Sequence, residues 1–233
     1  MGNPGSEFRS ANRLERMSDQ VVNLWKQNLG VVPGEIWDDP EITVLILADN
    51  ALNAISPRIG ELQRLRTLDL GHNQLTGLPL ELGNLTGLRD FLYLHDNQLE
   101  FLPLSLGSLH ELRYLNISAN RFSQFPEPVC HMVGLAELRA TDNQLTELPG
   151  SITRLSRLRE LHLRNNRLRS LPSDLGALSE LRQLDLRGNP IETLPDSILE
   201  MPKLEKLDLR WVNTLQAPPW FDVLEQRGCL VYR

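Results

Sequence analysis

The apolar positions of this chain recur in a fixed pattern with a period of about 23 residues. Each unit contains a short alternating segment, such as Leu161-His162-Leu163, in which leucines flank an outward-facing residue. An asparagine follows three residues later, and a proline and further leucines complete the unit. Alternation at every second residue is the period of an extended chain with one buried face. Each unit is therefore predicted to contribute one short strand.

One asparagine per unit marks the repeat, and Gln27 and Val212 occupy its slot in degenerate first and last units. A carboxamide suits the corner of a tight coil, because it can both donate to and accept from buried backbone groups there. A single longer spacing places one extra residue at Asp90 or Phe91, where we expect a β-bulge that re-aims nearby side chains. The asparagines, 23 residues apart except for one gap of 24, are Asn50, Asn73, Asn97, Asn120, Asn143, Asn166 and Asn189.

The return path of each unit is predicted to be irregular, because Pro172 and Gly176 and their equivalents forbid a long regular helix. This register resembles the leucine-rich-repeat superfamily, and more narrowly its 23-residue class in Ras-suppressor-like, Scribble-like and bacterial intracellular proteins. The resemblance covers residues of about 20 to 220. It implies an α/β fold: a right-handed solenoid, or horseshoe, with a parallel β-sheet on the concave face and loops or 3₁₀ turns on the convex face. We expect about eight to nine strands.

The chain is expected to form one repeat domain behind a short tail. Residues 1–16 are expected to be cloning-derived, because Gly5-Ser6-Glu7-Phe8 is what two adjacent restriction sites encode. Pro218-Pro219 and Gly228 frame a short helix near the other end, and residues 229–232 could add a terminal strand or pack beneath the last coil. The predicted single domain spans 17–233, with a degenerate N-terminal coil or cap at 17–40, repeats at 41–212 and a C-terminal cap at 213–233.

Composition narrows the class of protein. The chain is 41% hydrophobic and 23% charged, as is usual for a globular domain, and it contains no run of about 18 apolar residues that would predict a transmembrane segment. Its net charge of −6 argues against nucleic acid as the partner. Because caps are expected to cover both ends of the solenoid, we expect a monomer.

The two cysteines, Cys130 and Cys229, lie four coils apart. With strands spaced about 4.8 Å apart, they are separated by roughly 20 Å, whereas a disulfide needs Cα atoms within about 7 Å. Both are expected to be free thiols, and Cys130 is expected to be a small packed residue. Flanking cysteine clusters typical of extracellular members are absent, so a cytoplasmic (intracellular) location is expected; delivery into a host cell remains open.

Function is expected on the strand positions that face outward from the concave sheet. The first half of this face offers aromatic and apolar groups, which binding hot spots favour, although such residues can also merely cover their neighbours. The second half is a field of arginines among carboxylates. The candidate partner-binding residues are Trp25, Ile46, Tyr93, His95, Tyr114, Arg139, His162, Arg164, Arg187 and Arg210.

Arg164, Arg187 and Arg210 occupy one column on consecutive coils, and like charges stacked on neighbouring strands repel. Guanidinium groups pair well with carboxylates, so we expect a protein partner with an acidic surface. The alternative is that carboxylates of the chain itself neutralise the column. The candidates for that role are Glu137, Glu160, Asp185 and Asp208.

No catalytic machinery is recognisable: a phosphate-binding glycine loop, a nucleophile elbow and zinc-ligand spacing are all missing from the sequence. His72 and His95 lie on adjacent coils, but two histidines without a third ligand make a poor metal site, so neither metal nor cofactor is expected. We expect a protein–protein interaction module that binds through its concave face, and not an enzyme. The alternatives are a substrate-recognition domain of a larger enzyme or bacterial effector, and a structural spacer.

Overall fold

A computed structural model describes residues 20–233, in which each coil supplies one strand to a single parallel sheet. The strands pair in sequence order, so every neighbour in the chain is also a neighbour in the sheet. The sheet has ten strands, more than the eight to nine expected, because the segment after Gly228 pairs with the strand before it. The predicted cloning-derived tail, residues 1–16, lies outside the described residues. The strands are β1 (Gln20–Asn23), β2 (Ile42–Ile46), β3 (Thr67–Asp69), β4 (Phe91–Tyr93), β5 (Tyr114–Asn116), β6 (Glu137–Arg139), β7 (Glu160–His162), β8 (Gln183–Asp185), β9 (Lys206–Asp208) and β10 (Leu230–Tyr232).

Short 3₁₀ helices form the return paths, as the resemblance implied. Most follow a proline in extended conformation, which fixes the direction in which the chain leaves the core. The coils stack closely here: a Cβ on Gly83 would lie 2.3 Å from the Ser105 carbonyl oxygen, and one on Gly176 would lie 2.1 Å from that of Ser197. The glycines of the Leu82-Gly83 and Leu175-Gly176 pairs therefore reflect a close backbone approach. The 3₁₀ helices are Gly34–Asp38, Pro57–Glu61, Leu80–Asn84, Leu104–Ser108, Glu127–His131, Gly150–Arg154, Leu175–Ala177 and Asp196–Glu200.

The core lies between the sheet and these return paths. Leu115 and Ile117 are fully buried, and their counterparts from β2 to β9 are buried too, so the predicted alternation holds there. Full burial of such a side chain contributes about 1.5–3 kcal/mol. Ala140 takes an inward strand position where other coils have leucine or isoleucine, while Phe122 and Phe125 on the preceding coil are also buried. Large and small side chains on adjacent coils thus fill the same core volume.

The buried asparagines form a ladder that links successive coils. The Asn73 side-chain nitrogen donates to the carbonyl oxygens of Leu70 in its own coil (3.0 Å) and Leu47 in the preceding one (3.1 Å). Its oxygen accepts from the backbone nitrogens of Asn50 (3.1 Å) and Leu52 (3.0 Å). Each carboxamide therefore donates and accepts at the corner, as predicted, and no hydrophobic residue could replace it without leaving buried backbone groups unpaired.

The extra residue of the 24-residue unit lies where the sequence placed it, but it forms a bend at Asp90. Phe91 pairs in register with both Thr67 and Tyr114, so the ladder itself continues without a shift. The Arg113 nitrogen donates to the Arg89 carbonyl at 3.1 Å and bypasses Asp90. The expected bulge in the sheet is therefore wrong in detail, because the connection ahead of β4 absorbs the insertion.

The two ends of the described chain differ in structure. At the first, Trp37 of the 3₁₀ helix Gly34–Asp38 is buried. At the other end the helix α1 (Phe221–Gln226) buries Phe221 and Leu224, and the Trp220 indole nitrogen donates to Asp196 at 2.7 Å. No helix among residues 20–233 is both long and apolar enough to cross a bilayer.

Both cysteines are free and buried in the core. Burial raises the pKa of Cys130 to about 11, and it also raises the pKa of Cys229. A thiol with a raised pKa holds little of the reactive thiolate at neutral pH. These two residues therefore belong to the packing of the core, in agreement with the expectation for Cys130.

Candidate functional site

The side chains that alternate with the core leucines form the exposed sheet face, which consists of three columns crossing successive coils. In-register pairing of the strands places equivalent residues side by side. From β3 to β9 the first column is Thr67, Phe91, Tyr114, Glu137, Glu160, Gln183 and Lys206. The second column is Asp69, Tyr93, Asn116, Arg139, His162, Asp185 and Asp208. The third column is Gly71, His95, Ser118, Thr141, Arg164, Arg187 and Arg210.

Three rings on β4 and β5, those of Phe91, Tyr93 and Tyr114, form what we term the aromatic cluster. The Phe91 ring stacks on Tyr93 with centroids 5.9 Å apart and planes at 12°, and both contact Tyr114, at centroid distances of 5.5 and 5.1 Å. Phe91 is 43% exposed although it is large and apolar. Burial raises the pKa of both tyrosines, so their phenols are neutral hydrogen-bonding groups at pH 7.

His95 borders this cluster and contacts His72 of the preceding coil. Its ring meets Tyr93 edge-on at a centroid distance of 5.9 Å and His72 at 4.8 Å. The ring lies over Gly71, where an added Cβ would stand 2.4 Å from its Cε1 atom. Burial and the proximity of His72 lower the pKa of His95, so this imidazole is uncharged at neutral pH. Its Nδ1 atom is buried and has no hydrogen-bond partner among residues 20–233.

Two other predicted site residues lie apart from the aromatic cluster. Ile46 on β2 pairs in register with Asp69 of β3, which separates it from Tyr93 on β4. Trp25 follows β1 and is 56% exposed, with the Lys26 ammonium 5.9 Å from its ring. The structure therefore brings together Tyr93, His95 and Tyr114, but leaves Trp25 and Ile46 towards the edge of the sheet.

The C-terminal half of the face is held by ion pairs. Arg187 donates from Nε and Nη2 to the two carboxylate oxygens of Asp185, at 2.8 and 2.5 Å. Arg210 donates the same two hydrogen bonds to Asp208, at 2.9 and 2.7 Å. Both carboxylates are buried. Burial opposes their ionisation, but hydrogen bonds from the arginines outweigh it and keep the pKa of each carboxyl below its usual value.

The other predicted cationic residues of this half also have acidic partners. Arg164 donates to Asp142 at 3.2 Å, and Arg139 donates from Nε to Glu137 at 2.6 Å. The guanidinium of Arg139 also lies 6.0 Å from the ring of Tyr114. His162 approaches three carboxylates, with the shortest distance, 3.1 Å, from its Nε2 atom to Glu160.

These pairs bear directly on the expectation of an acidic partner. That expectation rested on uncompensated repulsion along the arginine column, and the structure supplies a carboxylate to each of its three members. The neutralisation that the sequence left as an alternative is therefore what the geometry favours. The sequence named Asp185 and Asp208 correctly for this role but missed Asp142, which lies outside the strand columns.

A further group of arginines lies beside the sheet. Arg113, Arg157 and Arg159 line a groove of about 450 Å³ together with Glu180, Gly134 and Ala136. All three arginines are exposed, and none forms an ion pair with a residue in 20–233. In the sequence, the only sign of this groove is that two positions of one coil carry the small residues Gly134 and Ala136, and the sequence-based prediction did not include it.

Two clusters in the described chain each bring three potential metal ligands within 4.8 Å of one another. The first consists of His72, His95 and Asp96, and it lies at the edge of the exposed sheet face. The second consists of Glu137, Glu160 and His162, in the middle of the charged half. The sequence had identified the two histidines of the first cluster, but it had not identified Asp96 as a third ligand.

Comparison with known proteins agrees with this geometry. Family models described as leucine rich repeat match residues 40–99, 133–191, 156–215 and 111–132, which together make up more than half of the chain. A leucine-rich-repeat protein of Leptospira interrogans is similar over 92% of this chain, with 25% identity and a TM-score of 0.68. This chain covers 66% of that protein.

Two further solved structures that are similar to this chain belong to longer proteins. The ectodomain of the Arabidopsis thaliana receptor kinase GASSHO1/SCHENGEN3, in complex with CASPARIAN STRIP INTEGRITY FACTOR 2, matches 87% of this chain with 33% identity and a TM-score of 0.74. The PEPR1–AtPEP1 structure matches 77% with 30% identity and a TM-score of 0.62. This chain covers only 25% and 30% of those two chains.

Proposed function

Because this chain belongs to the leucine-rich-repeat family, we propose that it is a protein-binding module that engages its partner through the exposed sheet face. The observation that carries the proposal is the aromatic cluster of Phe91, Tyr93 and Tyr114 beside His95, which stands partly exposed on that face. We assign recognition first to these residues and second to the arginine-rich half.

The chemistry of the cluster supports this assignment. Aromatic side chains supply large contact areas at a low cost in conformational entropy, and the tyrosine hydroxyls add hydrogen bonds at the margin of the contact. Ring-on-ring packing already restricts Phe91, Tyr93 and Tyr114, so little freedom is lost on binding. Family members also bind proteins through this architecture, as the Arabidopsis thaliana ectodomain in complex with CASPARIAN STRIP INTEGRITY FACTOR 2 illustrates.

An acidic surface on the partner is our second, narrower proposal. The arginine column Arg164, Arg187 and Arg210 can offer only the outer edges of its guanidinium groups, because Asp142, Asp185 and Asp208 engage the inner ones. Reversal of Arg187 and Arg210 to glutamate would place like charges against the buried carboxylates of Asp185 and Asp208 and destabilise the fold. The experiment on this column therefore removes its charge and does not reverse it.

The decisive experiment compares three variants in quantitative affinity capture from the native source. In the first, Tyr93→Ala and Tyr114→Ala remove two of the three rings of the aromatic cluster; in the second, Arg164, Arg187 and Arg210 are changed to Gln. Phe101→Ala serves as the matched control, because Phe101 is equally aromatic and 63% exposed but lies outside the exposed sheet face.

We expect the tyrosine variant to retain its partner at least about tenfold less well than wild type, since hot-spot truncations cost about 2 kcal/mol or more. The arginine variant should lose a smaller, salt-sensitive part of the affinity, and the Phe101 variant should bind like wild type. Equal capture by all four proteins would overturn the assignment of the face and favour a structural spacer.

We further propose that the chain has no catalysis of its own, acts inside the cell and is monomeric. Two free, buried cysteines support an intracellular site, because they leave the fold without a disulfide between them. The alternative role, recognition of substrates within a larger enzyme or bacterial effector, is distinguished by the full-length reading frame. Light scattering of the purified protein tests the monomer, and a dimer that disappears in the tyrosine variant would reveal self-association through the aromatic cluster.

A further inference from the structure

The His72, His95 and Asp96 side chains meet at the corner where two successive coils leave the sheet. The Nδ1 atom of His72 lies 3.5 Å from a carboxylate oxygen of Asp96, and the two imidazole rings are in edge-to-face contact at 4.8 Å. One potential ligand atom from each of the three residues lies within 4.8 Å of the others. This is a set of two nitrogens and one carboxylate oxygen.

The backbone explains why residues adjacent in sequence converge. His72 and Asp96 occupy the same slot of consecutive coils, immediately before the ladder asparagine, and both have a left-handed backbone, with φ of 51° and 52°. Equivalent slots of adjacent coils are about 4.8 Å apart. His95 belongs to the third column of the exposed sheet face, and the left-handed turn at Asp96 brings its carboxylate to the same side.

The position of His95 is fixed by its surroundings. Its ring fits over Gly71, since any larger residue there would collide with Cε1. Tyr93 contacts it from the side of the aromatic cluster. Packing therefore presents an imidazole whose Nδ1 atom has no protein hydrogen-bond partner in the described chain, beside two exposed and adjustable ligands.

We propose that His72, His95 and Asp96 form a binding site for a divalent transition-metal ion, with Zn²⁺ as the best-matched ion. Imidazole nitrogens and a carboxylate oxygen are common ligands of Zn²⁺, at about 2.0–2.2 Å. Tetrahedral ligands at that distance are about 3.4 Å from one another. The exposed His72 and Asp96 side chains reach this spacing by rotations about their side-chain bonds. Three protein ligands leave a fourth position open to solvent or to an external donor.

The second cluster of this protein shows why the first is preferred. Glu137, Glu160 and His162 offer only one nitrogen. The Arg139 guanidinium donates to Glu137 at 2.6 Å, so a positive charge already occupies that site. A second cation there would face electrostatic repulsion and would have to break an existing pair. His162 thus provides an internal control: a histidine beside carboxylates that is not expected to bind the metal.

The experiment measures Zn²⁺ binding to the untagged protein by isothermal titration calorimetry, with Co²⁺ absorption as a readout of coordination geometry. Each variant uses a residue that already occupies the same slot elsewhere in the chain, so that the coil can accept it. His95→Ser copies Ser118, Asp96→Asn copies Asn165, and His72→Asn places a residue that tolerates the left-handed backbone. His162→Ala is the matched control.

Wild type is expected to bind one Zn²⁺ per chain, to show tetrahedral Co²⁺ bands, and to melt at a higher temperature when Zn²⁺ is added. Each of the three ligand variants should weaken binding at least about 100-fold, because loss of even an outer-shell partner costs 10- to 100-fold. The His162→Ala variant should bind like wild type, and Ca²⁺ and Mg²⁺ should not compete.

The proposal is overturned if wild type binds no Zn²⁺ at micromolar concentrations, or if His95→Ser binds it as tightly as wild type while melting normally. Loss of Zn²⁺ binding in His162→Ala, with His95→Ser unaffected, would move the site to the second cluster and equally refute this assignment. The outcome does not depend on whether the exposed sheet face binds a protein, because the assay contains only the chain and the metal.

Discussion

The two halves of the exposed sheet face share one backbone register but differ in how their polar groups are satisfied. Around β3 to β5, the rings of Phe91, Tyr93 and Tyr114 contact one another, and the buried Nδ1 atom of His95 lacks a hydrogen-bond partner in the described chain. Around β7 to β9, each arginine of the third column is already paired with a carboxylate. A column of charges can therefore be part of the internal structure, while a less charged region keeps its bonding capacity for other molecules.

The reason lies in the position of the carboxylates. Asp185 and Asp208 are the buried members of the second column, on β8 and β9. An ionised carboxylate is stable there only if it is well paired. Arg187 and Arg210, two residues further along the chain and just past the ends of β8 and β9, provide that pairing. In the aromatic half the corresponding position is Asp69, which accepts from the Gly71 backbone nitrogen at 2.9 Å and needs no cation.

The largest expected effect tests whether the two halves fold as one unit. Leu115→Asp puts a carboxylate at the fully buried position of β5, next to the boundary between them, and is expected to cost on the order of 5 kcal/mol or more. Because coils are coupled only to their neighbours, the damage spreads as far as that coupling reaches. Hydrogen exchange by mass spectrometry should show loss of protection on both sides of β5.

The control for this variant is Asn116→Asp, which adds the same charge one residue away on the exposed side. It should leave the thermal melt within a few degrees of wild type, because the Asp carboxylate can still accept from the Ser118 backbone nitrogen. Full protection of β7 to β9 in Leu115→Asp would show that the charged half folds independently.

A smaller difference in stability should distinguish the two halves directly. Asp208→Asn removes the carboxylate that pairs with Arg210, Arg187 and Lys206, and is expected to destabilise the protein by about 2–3 kcal/mol in urea unfolding. The equivalent change in the aromatic half, Asp69→Asn, should cost under about 0.5 kcal/mol, because an amide oxygen can accept the same backbone hydrogen bond. Equal losses in the two variants would contradict our account of the charged half.

Acid should also destabilise the charged half, because it protonates the paired carboxylates. The expected change in the free energy of unfolding is smaller. The pKa values of Asp142, Asp185 and Asp208 are lowered in the folded protein. Their contribution to stability is therefore complete above the unfolded-state pKa of about 3.9, and it is lost as the pH falls from there towards the folded-state values. We expect wild type to lose on the order of 1–2 kcal/mol between pH 4 and pH 3.

The check is urea unfolding of wild type and Asp208→Asn across this range. The variant lacks one of the three titrating carboxylates, so its free energy of unfolding should fall less steeply with acid. An identical slope would mean that Asp208 is not ionised and paired in the folded protein.

Much of this architecture was predictable because it depends on spacing alone. The 23-residue period places Leu115 inward and Tyr114 outward, and a buried corner requires an asparagine. Pairing within the columns was harder to predict. Whether Arg187 turns towards Asp185 or towards a partner depends on side-chain torsions and on how deeply that aspartate is buried, and no period in the sequence reports either.

The metal ligands show a second limit of the sequence. His95 and Asp96 are consecutive, and in an extended strand consecutive side chains point to opposite faces. The left-handed backbone at Asp96 breaks that rule, so a strand pattern could not identify the third ligand. The corner slot itself was a usable signal, because His72 and Asp96 occupy it on adjacent coils.

The asparagine ladder also gives the solenoid a direction during its synthesis. The backbone nitrogens at the corner that contains Asn50 bond to the Asn73 side chain, which the ribosome adds 23 residues later. The same dependence recurs from Leu99 on Asn120 and from Leu145 on Asn166. In a growing chain, the corner of the newest coil therefore has backbone nitrogens without their asparagine partner. The next coil to emerge supplies that asparagine.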